Sequence, residues 1–220
     1  MYGVRCVPTS SRRTRRPRGS LTPELILDAA EAVAAQGFDA LTMRAVAARL
    51  DAVPMALYNH FATKEQLVDA LLDRVLSRFS PAPPSGDWIE DLRAFARAHR
   101  RLLAEHAWAV APLFTQPSPG LGAVRIGEHA LGILDRGGVS KDRSVAVFSG
   151  LIALNYGWAS FTAARDLDPG GPSHDVTAML RQLPPTMFPL TVGVAEEMGA
   201  YGSDEHYELV LDQMLGGLRR

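Results

Sequence analysis

From Thr22 onward apolar residues recur every three or four positions, and no stretch shows convincing alternation of apolar with polar residues. A chain patterned this way buries its hydrophobic side chains by packing helices, because a strand would turn half of each run to water. The runs also carry their own starts and stops. Thr22-Pro23-Glu24 supplies a capping oxygen, a proline where no amide hydrogen is needed, and an acid at the positive helix end. Leu25, Ile26, Ala29, Ala30 and Val33 form one face behind it, and Gly37 is expected to end the helix in a left-handed conformation. Thr42 caps a second short helix whose inward residues are Ala45, Val46 and Leu50. After Asp51-Ala52-Val53, Pro54 opens a third, carrying Leu57, Tyr58 and Phe61. Thr63 with Gln66 forms a capping box for a fourth, which runs through Leu67, Leu71, Val75 and Phe79.

The run Ser80-Pro81-Ala82-Pro83-Pro84-Ser85-Gly86 then breaks the pattern, and the main junction of the chain is expected near it. Asp87 with Glu90 can cap a long helix over 87–106, with Trp88, Leu92, Phe95, His99, Leu102 and Leu103 as its stripe. A shorter helix is expected near 108–115 and another over 121–136, stopped at Gly137-Gly138. Ser140 caps a long helix to about residue 165 that is apolar on most faces, and such a helix is covered on several sides. Residues 166–175 read as a loop, and the last helices are expected over 185–199 and 204–217. The fold class is all-α, with no internal repeat.

Composition narrows the function. At 47% hydrophobic and 21% charged residues the chain is an ordinary folded one, so disorder throughout is excluded. No stretch approaches the ~18 consecutive apolar residues of a membrane helix. The first 20 residues lack hydrophobic periodicity and read as a basic arm; without the apolar centre of a signal peptide they point to a cytoplasmic protein. Cys6 is the sole cysteine, which excludes an internal disulfide and a multi-thiolate metal site; no metal or other cofactor is expected. Residues 1–64 hold nine Arg/Lys against five Asp/Glu, whereas 65–220 hold fourteen against nineteen. A basic end joined to an acidic remainder is the footprint of a chain that meets phosphate at one end, or of a solvated arm with no partner.

Residues 41–64, LTMRAVAARLDAVPMALYNHFATK, carry the sharpest motif. Two short helices around a tight turn, packed on a preceding helix, make a helix-turn-helix, whose second helix fits the ~12 Å major groove. The pattern L-T-x-R-x-V-A-x-x-L, a turn, then L-Y-x-H-F-x-x-K resembles the tetracycline-repressor family of bacterial regulators. The Trp88 helix, the Gly137-Gly138-Val139-Ser140 junction and the long helix after it look like the branch with a tetracycline-repressor-like C-terminal domain. The resemblance implies a three-helix DNA-binding domain over 21–66 and a larger effector-binding and dimerising domain over 67–220. It also implies double-stranded operator DNA, a small-molecule effector and a second copy of the chain as partners. Thr42 would bond a phosphate, Arg44 would reach the groove, and Pro54, Met55 and Ala56 would open the recognition helix toward thymine methyls. Tyr58, Asn59 and His60 would lie along that helix, and Lys64 would hold a phosphate. The family generally has glycine in the turn where this chain has Asp51, a residue that tolerates the left-handed region better than most. Each position also has a plainer reading: Thr42 caps a helix whether or not DNA is present, and Tyr58 can be read as sealing the small core.

For the C-terminal domain the resemblance implies a pocket between helices. The candidate lining is Phe95, His99, Leu103, Trp108, Leu113, Phe114, Gln116, Phe148, Leu151 and Asn155, although most of these suit an ordinary core. His99 and Asn155 stand out because polar groups among apolar neighbours need partners, either a ligand or another side chain. Positions that hold magnesium-tetracycline in the namesake align with Ser80, Phe95, Leu113 and Ala153, so a more apolar effector than tetracycline is expected. A repressor released from its operator by that effector is the implied function. The alternatives are a dimeric small-molecule carrier without DNA binding, for which Asp51 is the hint, and an α-helical enzyme. The enzyme reading would recruit His99, His106 and His129, yet the chain has no HExxH pair and no glycine-rich phosphate loop.

Overall fold

The computed structural model describes residues 21–115, 120–167 and 176–218, and among these it contains helices and turns but no strand. The chain divides into two compact units, Met1–Val68 and Asp69–Arg220. The expected arm, Cys6, Gln116 and most of the expected loop 166–175 lie outside the described residues.

The smaller unit is built from α1 (Pro23–Ala34), a 3-10 turn (Phe38–Ala40), α2 (Met43–Arg49), α3 (Pro54–Tyr58) and the first residues of α4 (Lys64–Leu76). Its core is Ile26, Ala30, Leu41, Val46, Ala47, Leu57 and Leu67, all buried. The caps do what their side chains allow. Leu25 N–H donates to Thr22 Oγ1 (3.3 Å) and Ala45 N–H to Thr42 Oγ1 (3.1 Å), each satisfying an amide that the helix itself leaves open. Gln66 N–H donates to Thr63 Oγ1 (3.2 Å), but Gln66 Oε1 accepts from Ala62 N–H (2.9 Å) and not from the cap residue, so the box reaches one residue further back. Gly37 does not take the expected left-handed helical form. Its φ of 127° and ψ of 135° carry the chain out of α1 extended and into the 3-10 turn, a conformation open to glycine alone. Asp51, at φ 53°, holds the turn between α2 and α3 and is the only non-glycine with positive φ among the described residues.

The larger unit contains the second half of α4, then α5 (Trp88–Glu105), α6 (Ala107–Thr115), α7 (Leu121–Arg136), α8 (Lys141–Leu167), α9 (Val176–Arg181), α10 (Pro189–Gly193), α11 (Ala195–Gly199) and α12 (Asp204–Gly216). The boundary between units therefore falls inside α4, not at the proline-rich run 80–86. The reason is burial: Leu71, Leu72, Val75 and Leu76 are core residues, and Asp73 between them accepts the Gly122 N–H (2.6 Å) at the start of α7. The 80–86 run follows the end of the helix and does not divide the core. Helix α4 itself stops at Leu76, and Phe79 follows on tightened bonds from Arg78 N–H to Val75 O and from Phe79 N–H to Leu76 O.

Helix α5 is central, packing against α6, α7, α8 and α12. Asp87 caps it through Ile89 N–H (2.9 Å) and Glu90 N–H (3.4 Å), while Glu90 turns to Arg93 instead of completing the expected box. Arg93, Arg97 and Arg100 pair with Asp212, Glu208 and Asp204, so α12 runs antiparallel to α5 with one ion pair per turn. The single helix expected over 185–199 is broken into α10 and α11, and α9 precedes them unforeseen. Pro184, Pro185 and Pro189 lack the N–H groups a continuous helix would use, and Val194 sits at φ −112° between the two pieces.

Candidate functional site

The smaller unit presents one exposed edge. Thr42 is exposed, and its hydroxyl keeps its hydrogen free because the cap uses only the oxygen as acceptor. Arg44 projects from the same end of α2, also exposed. On α3, Leu57 is fully buried while Pro54, Met55 and Tyr58 face solvent, Met55 at 71% exposure. Ala56 is half-buried. Val53, exposed at 53%, extends this apolar edge and was missed; it sits just before Pro54, where the sequence reads as a turn.

Two expected positions need correction. Asn59 and His60 do not lie along α3, which ends at Tyr58 after five residues. Asn59 is its C-cap and His60 follows in the turn; both remain exposed. The chain must reverse there to seat Phe61 in the core, which cuts the helix short. Lys64 opens α4 half-buried, its Nζ 5.8 Å from the centre of the Phe38 ring, so the cation is steered by an aromatic face within its own unit.

The charge pattern also looks different by segment. Between residues 21 and 64 the cations are Arg44, Arg49 and Lys64, against Glu24, Asp28, Glu31, Asp39 and Asp51. The positive excess of the N-terminal end therefore resides entirely in residues 1–20.

In the larger unit the expected lining residues do not all meet. Phe95, His99, Leu103, Leu113, Leu151 and Asn155 are buried, Trp108 and Phe148 are half-buried, and Phe114 is 72% exposed, so Phe114 lines no closed core. Its position near the end of α6 turns it outward. Asn155 on α8 joins three helices: its Nδ2 donates to the Ala96 carbonyl (3.0 Å) and lies 3.0 Å from His99 Nδ1, and its Oδ1 accepts from the Tyr207 hydroxyl (2.8 Å). Because a carbonyl only accepts, the Ala96 contact fixes which end of the amide is nitrogen. His99 Nδ1 must then accept, and the neutral ring carries its proton on Nε2. Burial alone pushes the His99 pKa down to about 4, so the ring is neutral at ordinary pH.

Aromatic rings surround His99. Phe95 lies parallel to it (centroids 6.2 Å apart), Phe79 meets it edge-on at 6.5 Å and Tyr156 at 5.8 Å, and His129 lies 6.2 Å from Phe95. Burial lowers the His129 pKa, assisted by the charge of Arg136, and raises that of Tyr156. Phe79, His129 and Tyr156 belong to this cluster and Tyr207 joins it through Asn155; none was among the expected lining residues, because residues so far apart in sequence share no motif. Among the described residues no group of acidic, histidine or cysteine side chains is arranged to hold a metal.

Residues 80–220 match the family described as "Tetracyclin repressor-like, C-terminal domain", and residues 26–71 match "Bacterial regulatory proteins, tetR family". The chain belongs to the tetracycline-repressor family. An HTH-type transcriptional regulator of Saccharopolyspora erythraea is 33% identical over 150 residues, 67% of this chain and 63% of that one. The HTH-type transcriptional repressor DrrR1 of Streptomyces coeruleorubidus is 33% identical over 142 residues, 63% of this chain and 52% of that one. The chain thus spans less than two thirds of the length of these relatives. Among solved structures, ActR of Streptomyces coelicolor without ligand superposes with a TM-score of 0.81 at 27% identity, covering 92% of this chain and 96% of ActR. Its complex with actinorhodin gives 0.81 at 26% identity, over 91% and 98%. The matched family is one of bacterial regulatory proteins, and both relatives are named as transcriptional regulators or repressors.

Proposed function

We propose that this chain is a cytoplasmic, homodimeric repressor that binds operator DNA through α2 and α3 and is released by a small, largely apolar effector held in the larger unit. The observation that carries the reading is that Thr42, Arg44, Met55 and Tyr58 are all exposed on a helix-turn-helix whose core holds Val46, Ala47 and Leu57. In this reading Arg44 forks to a guanine, Pro54, Met55 and Ala56 meet thymine methyls, and Thr42, Tyr58, Asn59, His60 and Lys64 serve phosphates or neighbouring base edges. The relatives named as repressors and the actinorhodin complex of ActR support it.

A dimer would present two such edges about 34–36 Å apart, one helical turn of DNA. Helix α8 offers the surface for it. Val145, Ala146, Ser149, Ala153, Gly157, Ser160 and Phe161 lie along it at three- and four-residue spacing on its open side, and Leu209 is exposed on α12. The stretch Lys141–Thr162 is long and apolar enough to cross a membrane, but its other face packs into the core through Leu151, Asn155 and Trp158. A second copy of the chain covers such a surface better than lipid does, because small side chains let two helices approach closely.

Coupling would run through α4, which carries Lys64 at one end and Asp73, bonded to α7, at the other. An effector that fits one arrangement of the larger unit would shift that helix. The carrier reading loses its sequence hint, since Asp51 holds the turn. A mobility-shift titration of the full chain on its own upstream DNA tests the proposal. A salt-sensitive, sequence-selective shift is expected; binding no tighter than to unrelated DNA would sink it.

A further inference from the structure

Arginines crowd the C-terminal half of α5. Arg97, Arg100 and Arg101 lie on the side of the helix turned away from the buried Phe95, His99 and Leu103. Like charges at three- and four-residue spacing destabilise a helix unless anions answer them. Carboxylates of α12 answer two of the three. Glu208 accepts from Arg97 Nε (2.9 Å) and Nη2 (2.7 Å), and Asp204 accepts from Arg100 Nη2. Arg101 takes part in no ion pair or hydrogen bond among the described residues, and Glu105, one turn further on, is not paired with it. Three cations thus meet two bonded anions, and one positive charge is in excess.

A groove of about 410 Å³ opens beside them, walled by these arginines and Asp204. Its floor is small and apolar: Ala104 of α5, Ala107 at the start of α6 and Ala159 of α8. One wall is already set for a ligand. The Arg100 guanidinium lies 4.2 Å from the centre of the Tyr207 ring, and its side chain is only 18% exposed, so it is held flat without a ligand. Asp204 takes a single one of its five N–H donors.

The chemistry restricts the occupant. Guanidinium forks answer carboxylates and phosphates. One excess positive charge matches one carboxylate, whereas a phosphate monoester brings close to two negative charges. The alanine floor offers no side-chain donor for further oxygens and suits hydrocarbon instead.

We propose that this groove binds a small organic acid, its carboxylate held by Arg100 and Arg101 and its hydrocarbon body lying on Ala104, Ala107 and Ala159. The site is separate from the core about His99 and from the helix-turn-helix. An acid seated there joins α5 to α6 and α8 beside the start of α12.

Cyclohexanecarboxylate and cyclohexanecarboxamide have nearly the same shape and differ in the charge at issue. Titrated calorimetrically into the full-length protein at neutral pH and low ionic strength, the acid is expected to bind about 10-fold more tightly than the amide. Arg101→Gln removes an exposed guanidinium that bonds to nothing else described, and is expected to abolish that preference. Ala104→Leu fills the floor without changing charge, and is expected to abolish binding of the acid. Nitrogen-15 spectra of the wild-type guanidinium groups need no variant: the Arg100 and Arg101 Nε–H signals are expected to move with the acid and not with the amide. Equal affinities, no binding of the acid, a preference that survives Arg101→Gln, binding that survives Ala104→Leu, or unmoved Nε–H signals would each overturn the assignment. Operator binding enters none of these readouts, so loss of this site leaves the repressor reading untouched.

Discussion

At Arg44 and Tyr58, exposure distinguishes a residue proposed to read DNA from a structural one. Both face solvent, and neither takes part in the core formed by Leu41, Val46 and Leu57. Replacing either with alanine is therefore expected to weaken operator binding by about 1–3 kcal/mol, read by mobility shift. The thermal midpoint should stay close to that of the wild type; a large fall would mean that the side chain is structural after all. His99 behaves in the opposite way, since its burial has a thermodynamic consequence with no ligand present. Its folded pKa, about 4, lies below the unfolded value near 6.5, so the unfolded chain binds the proton more readily. Stability contributed by the neutral ring is complete above pH 6.5, is lost as the pH falls toward 4, and changes no further below that. The loss is on the order of 3 kcal/mol. Urea titrations between neutral pH and the folded pKa should show this decline flattened in His99→Phe.

At the scale of elements, α4 and α7 approach closely at Gly122. A β-carbon on Gly122 would lie 2.8 Å from the Asp73 carbonyl oxygen and 2.9 Å from Leu76 Cβ, and one on Gly120 would strike the Asp73 carboxylate. At Gly122 neither neighbour is the free end of a flexible chain, so α4 would have to lift. Gly122→Ala is expected to cost about 1–3 kcal/mol of stability. Under the coupling proposed through α4, it should also weaken operator binding without touching the reading edge. Wild-type operator affinity in a destabilised Gly122→Ala protein would dissociate α4 placement from DNA binding. The broken stretch 184–199 teaches a complementary lesson. Apolar periodicity continues through it, but three prolines remove the amides that periodicity presupposes, and two helices of five residues result.

For the molecule as a whole, charge and assembly decide what the pieces do together. Residues 21–64 carry more acid than base, so residues 1–20 supply the net positive charge of the N-terminal end. Deleting them is expected to reduce affinity for all sequences alike and to flatten the salt dependence, by close to one unit of slope for each phosphate no longer neutralised. An unchanged slope would mean that the arm is a solvated tail. The proposed dimer surface makes a second expectation. Ala153 is exposed in the middle of the α8 stripe, so Ala153→Arg should yield a folded monomer by sedimentation and lose operator binding, because one reading edge alone engages half a site. A dimer that survives this change would place the interface elsewhere.

The helices, their caps and the helix-turn-helix were set by local sequence: Thr22, Thr42 and Asp87 act on amides within three residues, Pro54 acts on its own backbone, and signals of that range are legible in order along the chain. Even the departure at Asp51 could be read, since a backbone angle belongs to one residue. What lay outside that range emerged only on folding. The clasp of Ala96, Asn155 and Tyr207 joins residues 59 and 52 positions apart, and the ring cluster about His99 spans comparable separations. The division of α4 between two units likewise depends on what its second half packs against. No short motif encodes such meetings, because they are fixed by how packed helices share one core and not by any preference of the residues themselves.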